Sequence, residues 1–295
     1  MNFKDIALAL LVIVIWAGNI IAIKYAVMEL PPLTAITLRF GLTALAFLPF
    51  ARWPGKDLAK HLLIIAIFMG FLHQGLLFLG MAQLSAGLSA IFLQSQVIFS
   101  TILGVIFFKE VIGWRSIAGL IMGILGICFI YGDSTAGFSA TGFWMLMAST
   151  LALAYAYMMM KKLPPVKPAT FLCLMNGLAF PFVLIAAALM ERDQWSTVPN
   201  ADWTLLTEVF IYQIFLVGLS HIIWQKLLTR NDMGLVTPFT LLLPICGVSM
   251  AVLFLDEVVS MRMIIGGSIA ILGVGIIVLR RAQKKTSLPR CPAGD

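Results

Sequence analysis

Long apolar runs and short polar connectors alternate along the whole chain, and this pattern predicts a bundle of membrane-spanning helices. A helix that crosses about 30 Å of hydrocarbon needs about 20 apolar residues. Ten segments come near that length: 5–23, 33–50, 61–80, 87–108, 115–131, 142–160, 169–190, 204–225, 235–255 and 262–279. The predicted fold class is therefore an all-α integral membrane protein with ten transmembrane helices.

The composition supports the same conclusion. Apolar residues make up 61% of the chain and charged residues 11%, whereas soluble domains have about 45–50% and about 25%. The mean hydropathy is +1.02. A soluble protein of 295 residues could not bury that much apolar surface, so the chain requires lipid as part of its solvent. The first run continues into Trp16, Asn19 and Lys24 without a small-residue cleavage pattern, so we expect it to remain as a mature helix.

The net charge is +7, and the basic residues lie in short loops between apolar runs. Their distribution therefore indicates the membrane topology. With the N-terminus in the cytoplasm, ten crossings return the C-terminus there. Lys24, Arg192 and Arg262 then lie outside, Arg39 lies within the second span, and every other Lys and Arg lies inside. The sequence predicts cytoplasmic termini and no nucleic-acid partner.

The chain also repeats itself at an offset of 147 residues. The matched pairs are Gly87 with Gly234, Glu110 with Glu257, Arg115 with Arg262, Gly119 with Gly266, and Gly126 with Gly273. We therefore predict one repeat over 1–134 (helices 1–5), a second over 135–282 (helices 6–10) and a cytoplasmic tail over 283–295. Because five spans is an odd number, the second repeat must be inverted. Inverted repeats are typical of transporters that bind substrate near the midplane.

Neutral polar side chains at membrane depth are the first candidates for a binding site. Gln74, Gln94 and Gln96 lie near the middle of the third and fourth spans, and Gln74 corresponds to His221 at the repeat offset. Residues 94 and 96 are about 200° apart on a helix, so we expect one of them to bond a neighbouring helix instead of facing the cavity. Ordinary interhelical hydrogen bonding is the alternative for all four.

Amphipathic aromatic residues extend this set. Trp16 and Asn19 share a helix face by their spacing, and Tyr157 and Trp224 offer similar surfaces. An amino-acid zwitterion would bind amide, hydroxyl and imidazole groups with its polar ends and apolar wall with its side chain. The predicted substrate-binding residues are Trp16, Asn19, Gln74, Gln94, Gln96, Tyr157, His221 and Trp224. For the aromatic residues, packing or interfacial anchoring remains the alternative.

Three further residues are expected to have gating or structural roles. Arg39 could bind a substrate carboxylate, extend its charge outward or bond loop carbonyls, and we favour a structural role. Pro238 and Pro244 interrupt the hydrogen bonds of the ninth span.

Some acidic residues lie at the ends of spans, and none lies in the central part of a span. Glu110, Asp256 and Glu257 are expected to be solvated loop charges near Arg115 and Arg262.

Several segments carry a family resemblance. They are Val-Ile-Trp-Ala-Gly-Asn-Ile-Ile-Ala-Ile-Lys at 14–24, Leu-Pro-Pro-Leu followed by Leu-Arg-Phe at 38–40, Ala-Gly-Leu-Ser-Ala-Ile-Phe-Leu-Gln-Ser-Gln-Val from Ala86, and Leu-Leu-Pro-Ile followed by Leu-Asp-Glu at 255–257. The chain thus resembles the EamA-type transporters of the drug/metabolite transporter superfamily, and is most similar to bacterial exporters of cysteine and O-acetylserine. The resemblance implies a gradient-driven exporter of amino acids or related metabolites in the bacterial inner membrane. Leu153, Tyr157 and Val97 depart from the pattern of those exporters.

Other functions are disfavoured by missing motifs. No acidic residue occupies the centre of a span, as a cation/proton antiporter of drugs would require. An intramembrane enzyme is disfavoured because Gly87-Leu88-Ser89-Ala90 lacks the final Gly of a serine nucleophile motif, and an ATP-driven pump because the phosphate-binding loop is absent. Exporters of aromatic amino acids, nucleosides or cationic drugs remain alternatives.

The expected partners follow from this function. They are a small-molecule substrate and the lipid bilayer, with no cofactor, metal or catalytic residue. Proton coupling and facilitated exchange both stay open, and the protein is expected to be a monomer or a weak homodimer.

Overall fold

The computed structural model describes residues 1–51, 55–133, 135, 137–161, 163–164, 166–192 and 194–286. Arg52, Lys162 and Arg290, which the charge pattern assigns to the cytoplasmic side, lie outside the described residues, as do residues 287–295 of the predicted tail.

Every regular element in the described part of the chain is a helix. Nine helices there are long and apolar enough to cross a membrane, and a tenth apolar helix is shorter, with 17 residues. They are α1 (Phe3–Glu29), α2 (Pro32–Phe50), α3 (Leu58–Gln83), α4 (Ala86–Phe108), α5 (Trp114–Ile130, the shorter one), α6 (Ala140–Met160), α7 (Pro168–Met190), α8 (Trp203–Arg230), α9 (Thr237–Leu255) and α10 (Met261–Arg280). The predicted class of all-α integral membrane protein is confirmed.

Short polar residues begin several of these helices. The side chains of Asn2, Ser85, Ser139 and Asp202 each accept a hydrogen bond from a backbone N–H in the first turn of α1, α4, α6 and α8. Such caps satisfy N–H groups that have no partner within their own helix. The connectors therefore help to set where these four apolar runs become helical.

Glycines bring α5 and α10 into backbone contact. A Cβ atom added to Gly126 would lie 2.5 Å from the backbone nitrogen of Ala270, and one added to Gly119 would lie 2.6 Å from the carbonyl oxygen of Gly273. Real Cβ atoms do not approach other atoms so closely, so only glycine fits at these positions. Small residues at this spacing allow helices to pack tightly in lipid, where apolar attraction between helices is weak.

Two pairs of helices share the same irregularities at the repeat offset. A π-helical segment covers Ala66–Gln74 in α3 and Tyr212–Val217 in α8. The helix break between Ala86–Phe92 and Ser95–Phe108 corresponds to the 3-10 turn Thr237–Leu241 that precedes Leu242–Leu255.

The ends of α4 and α9 match as well. Lys109 and Asp256, 147 residues apart, both adopt a left-handed conformation with φ of 51°. The next N–H groups, of Glu110 and Glu257, donate to the carbonyl oxygens of Gly104 and Ala251, each six residues earlier in the chain and each at 3.3 Å. These matches support the internal repeat, whereas its inversion in the membrane stays a prediction.

Contacts between helix ends define two sides of the bundle. We call the side where α1 begins the N-terminal side and the opposite side the far side. On the far side, Lys24 Nζ donates to the carbonyl oxygens of Met81 (2.9 Å) and Leu84 (2.8 Å) at the end of α3. Tyr25 Oη donates to the carbonyl oxygen of Phe254 at 2.6 Å, which brings the end of α9 to the same side.

On the far side, two carboxylates each bond the N-terminus of a helix from the other half of the chain. Glu191 accepts hydrogen bonds from the N–H groups of Leu33 (2.6 Å) and Thr34 (2.8 Å) and from the Thr34 hydroxyl (2.7 Å). Glu257 accepts from the N–H groups of Ala86 (2.6 Å) and Gly87 (2.9 Å). A negative charge is stabilised at a helix N-terminus by the free N–H groups and the helix dipole. The expectation that Glu257 is a solvated loop charge is therefore wrong.

Candidate functional site

Aromatic and imidazole groups of α1 and α8 form one cluster, which we call the Trp16 cluster: Trp16 and Trp224 are half-buried, and His221 is exposed. Trp16 Nε1 donates to Ser220 Oγ at 2.9 Å. The Trp16 ring lies 5.4 Å from that of His221 and 5.1 Å from that of Trp224, measured between centroids. His221 and Trp224 share a face of α8 because they are three residues apart. Three of the predicted substrate-binding residues thus lie together.

Asn19 also contacts α8, one turn further along α1. Gln213 Nε2 donates to Asn19 Oδ1 at 3.2 Å. Gln213 is only 3% exposed, and its Oε1 atom is buried without a hydrogen-bond partner. It lies within the π-helical segment Tyr212–Val217, and π-helical turns occur often at functional sites. The sequence prediction missed Gln213, although a glutamine at membrane depth is the signal that selected Gln74.

Arg39 and Gln74 form a second polar group, between α2 and α3. Arg39 Nη1 donates to Gln74 Oε1 at 3.4 Å, and the guanidinium lies 6.0 Å from the centroid of the buried Phe78 ring. Arg39 is 9% exposed, so this cation lies in the interior of the bundle.

Other polar groups at depth are bonded across helices. His73 Nδ1 lies 2.8 Å from Ser149 Oγ and 3.1 Å from the Ser149 carbonyl oxygen, and Ser149 Oγ donates to the His73 carbonyl oxygen at 2.9 Å. Ser95 and Thr150 hydroxyls are 2.7 Å apart. These pairs join α3 and α4 to α6, which is the structural role that interhelical hydrogen bonds commonly have in membranes.

The remaining predicted residues are more scattered. Gln94 Nε2 donates to the Thr240 carbonyl oxygen at 3.5 Å, so this glutamine bonds the neighbouring helix α9. Gln96 is half-buried on α4. Tyr157 is 41% exposed near the N-terminal-side end of α6, and none of its described contacts joins it to the Trp16 cluster.

The two prolines lie at the irregular start of α9. Pro238 falls in the 3-10 segment Thr237–Leu241, and Pro244 falls in the first turn of Leu242–Leu255. Both occupy positions where a missing N–H costs little, because first-turn N–H groups have no partner within the helix.

The interior carries a positive charge, that of Arg39. In the part of the chain that the structure describes, no carboxylate lies within ion-pair distance of it. An ion pair between Lys161 and Glu110, at 3.5 Å, lies on the N-terminal side, away from this interior. Among the described residues, no three His, Cys, Asp or Glu side chains lie together as metal ligands. The arrangement can hydrogen-bond and stack a small polar solute.

A family model described as the EamA-like transporter family matches residues 4–132 and again residues 140–279. The chain belongs to this family. The resemblance inferred from sequence is thereby confirmed, and the protein is a multi-pass membrane protein of a transporter family.

Relatives in this family align over nearly the full chain. A "probable amino-acid metabolite efflux pump" of Escherichia coli (strain K12) is 29% identical, over 97% of this chain and 98% of its own length. The protein of the same name in Salmonella typhimurium is 27% identical, over 97% and 99%. An "uncharacterized transporter" of Archaeoglobus fulgidus is 26% identical, over 94% and 99%.

A solved crystal structure shares the fold. It superposes with a TM-score of 0.62 at 13% identity and covers 97% of this chain and 100% of that chain. At this identity the likeness shows the fold alone.

Proposed function

We propose that this EamA-family protein exports small amino acids or related metabolites across the bacterial inner membrane by alternating access, with cysteine- and O-acetylserine-like solutes as the first candidates. Two relatives that align over almost the whole chain are named probable amino-acid metabolite efflux pumps. Both termini are cytoplasmic in this proposal, and the far side of the bundle faces outward.

The observation that carries the substrate class is the chemistry of the interior. Trp16 and Trp224 offer apolar faces beside the His221 imidazole, while Gln74 and Asn19 offer amide groups. A zwitterionic amino acid needs hydrogen-bonding groups for its polar ends and an apolar wall for its side chain. A lipophilic cation would instead require a carboxylate at membrane depth, and Arg39 would repel it.

Alternating access requires one half of the protein to move against the other around a central site. The bonds from Glu191 and Glu257 support this mechanism, because they join residues of the second predicted repeat to helix starts in the first. When the far side opens to release solute, we expect these discrete bonds to break. Gating by Pro238 and Pro244 at the start of α9 remains part of the proposal.

Counterflow in proteoliposomes tests the function. Proteoliposomes that contain the purified protein are loaded with each member of a panel of amino acids, nucleosides, sugars and quaternary amines. Exchange against the same solute, labelled and added outside, is then followed. We expect small amino acids to exchange, with cysteine among the fastest. Exchange of quaternary amines alone would contradict the proposal. The same vesicles with an imposed pH gradient distinguish proton coupling from facilitated exchange.

Mapping of the chain ends tests the topology. Labelling of single cysteines introduced near residue 3 and near residue 285 in intact cells should find both ends protected from an impermeant reagent. Ends on opposite sides of the membrane would rule out two inverted five-helix repeats.

A further inference from the structure

We propose that Arg39 and Gln74 form the subsite that binds the carboxylate of the transported solute. This inference rests on the proposed function and goes beyond it, because it names the group that the transporter selects. It also replaces the structural role that the sequence analysis favours for Arg39.

The first argument is the shortage of partners for Arg39. Its side chain is 9% exposed, yet the guanidinium carries five N–H donors. Within the described residues its side chain makes one hydrogen bond, to Gln74 Oε1. At 3.4 Å this bond is long, because N–H···O bonds in proteins are usually about 2.7–3.2 Å. Phe78 adds only a distant aromatic contact at 6.0 Å.

The second argument is that donors of Arg39 and Gln74 lie side by side without partners. The other nitrogens of Arg39 and the Gln74 Nε2 atom have no hydrogen-bond partner in the described part of the chain. Arg39 is buried and Gln74 is half-buried. Several N–H groups at this place thus remain for a ligand to bond.

Lys24 shows what a structural cation looks like in the same protein. Its ammonium group donates to the carbonyl oxygens of Met81 and Leu84 at 2.9 and 2.8 Å, and so it completes the end of α3. Burial of a cation without such partners is costly, and ionisable residues inside membranes commonly mark solute pathways. Among the residues that the structure describes, Arg39 has no such short bonds to carbonyl oxygens. This is the arrangement expected of a cation whose partner is a bound ligand.

The geometry of the pair selects a carboxylate. A guanidinium presents two parallel N–H groups that match the two oxygens of a carboxylate, and Gln74 both orients the guanidinium through Oε1 and offers Nε2 as a further donor. A solute without a carboxylate leaves the cation unpaired in a low-dielectric site, so it is rejected. The chemical class is therefore a small amino acid or other monocarboxylate, and amines are excluded.

The test compares Arg39→Gln, Arg39→Lys and the control Lys24→Gln in the purified full chain. Counterflow is measured for the best amino acid of the panel and for the matching amine that lacks its carboxylate, and thermal unfolding of each variant is followed in detergent. The ratio of the two transport rates reports carboxylate selection, while the unfolding midpoint reports a structural role.

We expect the wild type to prefer the amino acid, and Arg39→Gln to lower its counterflow by about tenfold or more and to abolish the preference. Arg39→Lys retains the charge and should keep the preference at a reduced rate. The unfolding midpoint should not fall in Arg39→Gln, because an unpaired buried cation is removed. Lys24→Gln should lower the midpoint and keep the preference.

Each contrary result has a distinct meaning. If Arg39→Gln keeps the preference for the amino acid, the carboxylate subsite is wrong while the proposed export function stands. A fall in its midpoint as large as that of Lys24→Gln, with the preference retained, assigns Arg39 a structural role. If the wild type moves no amino acid, the proposed function itself fails.

Discussion

The far side of the bundle differs from two interior residues, Arg39 and Gln213, in how completely its polar side chains are hydrogen-bonded. On the far side, Glu191, Glu257 and Lys24 are each held by two or more hydrogen bonds to the backbone, at 2.6–2.9 Å. In the interior, Arg39 has one long bond and Gln213 has a buried oxygen without a partner. A completed set of bonds stabilises a helix end, whereas an incomplete set leaves groups that a solute can bind.

This difference separates stability from transport. Substitutions on the far side should act mainly on the free energy of unfolding, and substitutions at the incompletely bonded interior residues should act mainly on transport. The following predictions test that division.

Glu191→Gln should cause the largest loss of stability. Three hydrogen bonds from Leu33 and Thr34 lose their charged acceptor, and bonds to a charged group contribute about 1.5–3 kcal/mol. We expect the unfolding free energy to fall by about 3 kcal/mol, measured by thermal unfolding in detergent. Glu208→Gln, at an exposed glutamate on α8, is the matched control and should be neutral. Equal midpoints in the two variants would contradict the capping role.

Glu257→Gln should have a smaller effect of the same kind. Two charged bonds to the N-terminus of α4 become neutral, so we expect a loss of about 2 kcal/mol. Asp256→Asn is the control: Asp256 is exposed, and asparagine tolerates its left-handed backbone. A loss in Asp256→Asn as large as that in Glu257→Gln would show that the turn, and not the cap, is responsible.

Gln74→Ala should change transport and leave the fold intact. Removal of the amide deprives Arg39 of its hydrogen-bond partner and the solute of a donor, so counterflow of the best amino acid should fall by about tenfold. Gln83→Ala is the control, because Gln83 is an exposed glutamine at the far-side end of the same helix. His221→Ala should reduce transport through the Trp16 cluster. If Gln74→Ala and His221→Ala both fold and transport normally, the site assignment is wrong.

Substitution of Asp133 should cause the smallest loss of stability, and this loss should depend on pH. Burial opposes ionisation of this loop carboxylate, but hydrogen bonds from Ser260 and Thr135 hold its pKa below the ordinary value. A lowered pKa in the folded state stabilises the protein above the unfolded pKa of about 3.9, and this stabilisation disappears as the pH falls through the folded pKa.

We therefore expect Asp133→Asn to lower stability at pH 7 by about 1 kcal/mol and to flatten the decline at acidic pH. Thermal unfolding across a pH series measures both effects. In a Ser260→Ala background the effect of Asp133→Asn should shrink, because the two residues share a bond. An undiminished effect there would contradict this account.

Local pattern was enough to predict part of the site. Trp16 and Asn19 were expected on one face of α1, and both pack against α8. Gln94 bonds a neighbouring helix, as was expected of either it or Gln96. Tyr157 was selected for its amphipathic ring, and helix periodicity contains no information on whether such a ring meets the Trp16 cluster.

The sequence by itself determined the helices, because a segment that enters lipid must bond its own backbone and cover it with apolar side chains. It also contained the repeat at an offset of 147 and the glycines at which α5 and α10 meet. Only the tertiary structure decided the partners of Glu257, Gln213 and Arg39. Those partners come from helices more than 30 residues away along the chain, and packing in three dimensions alone determines which polar groups are completed and which remain open.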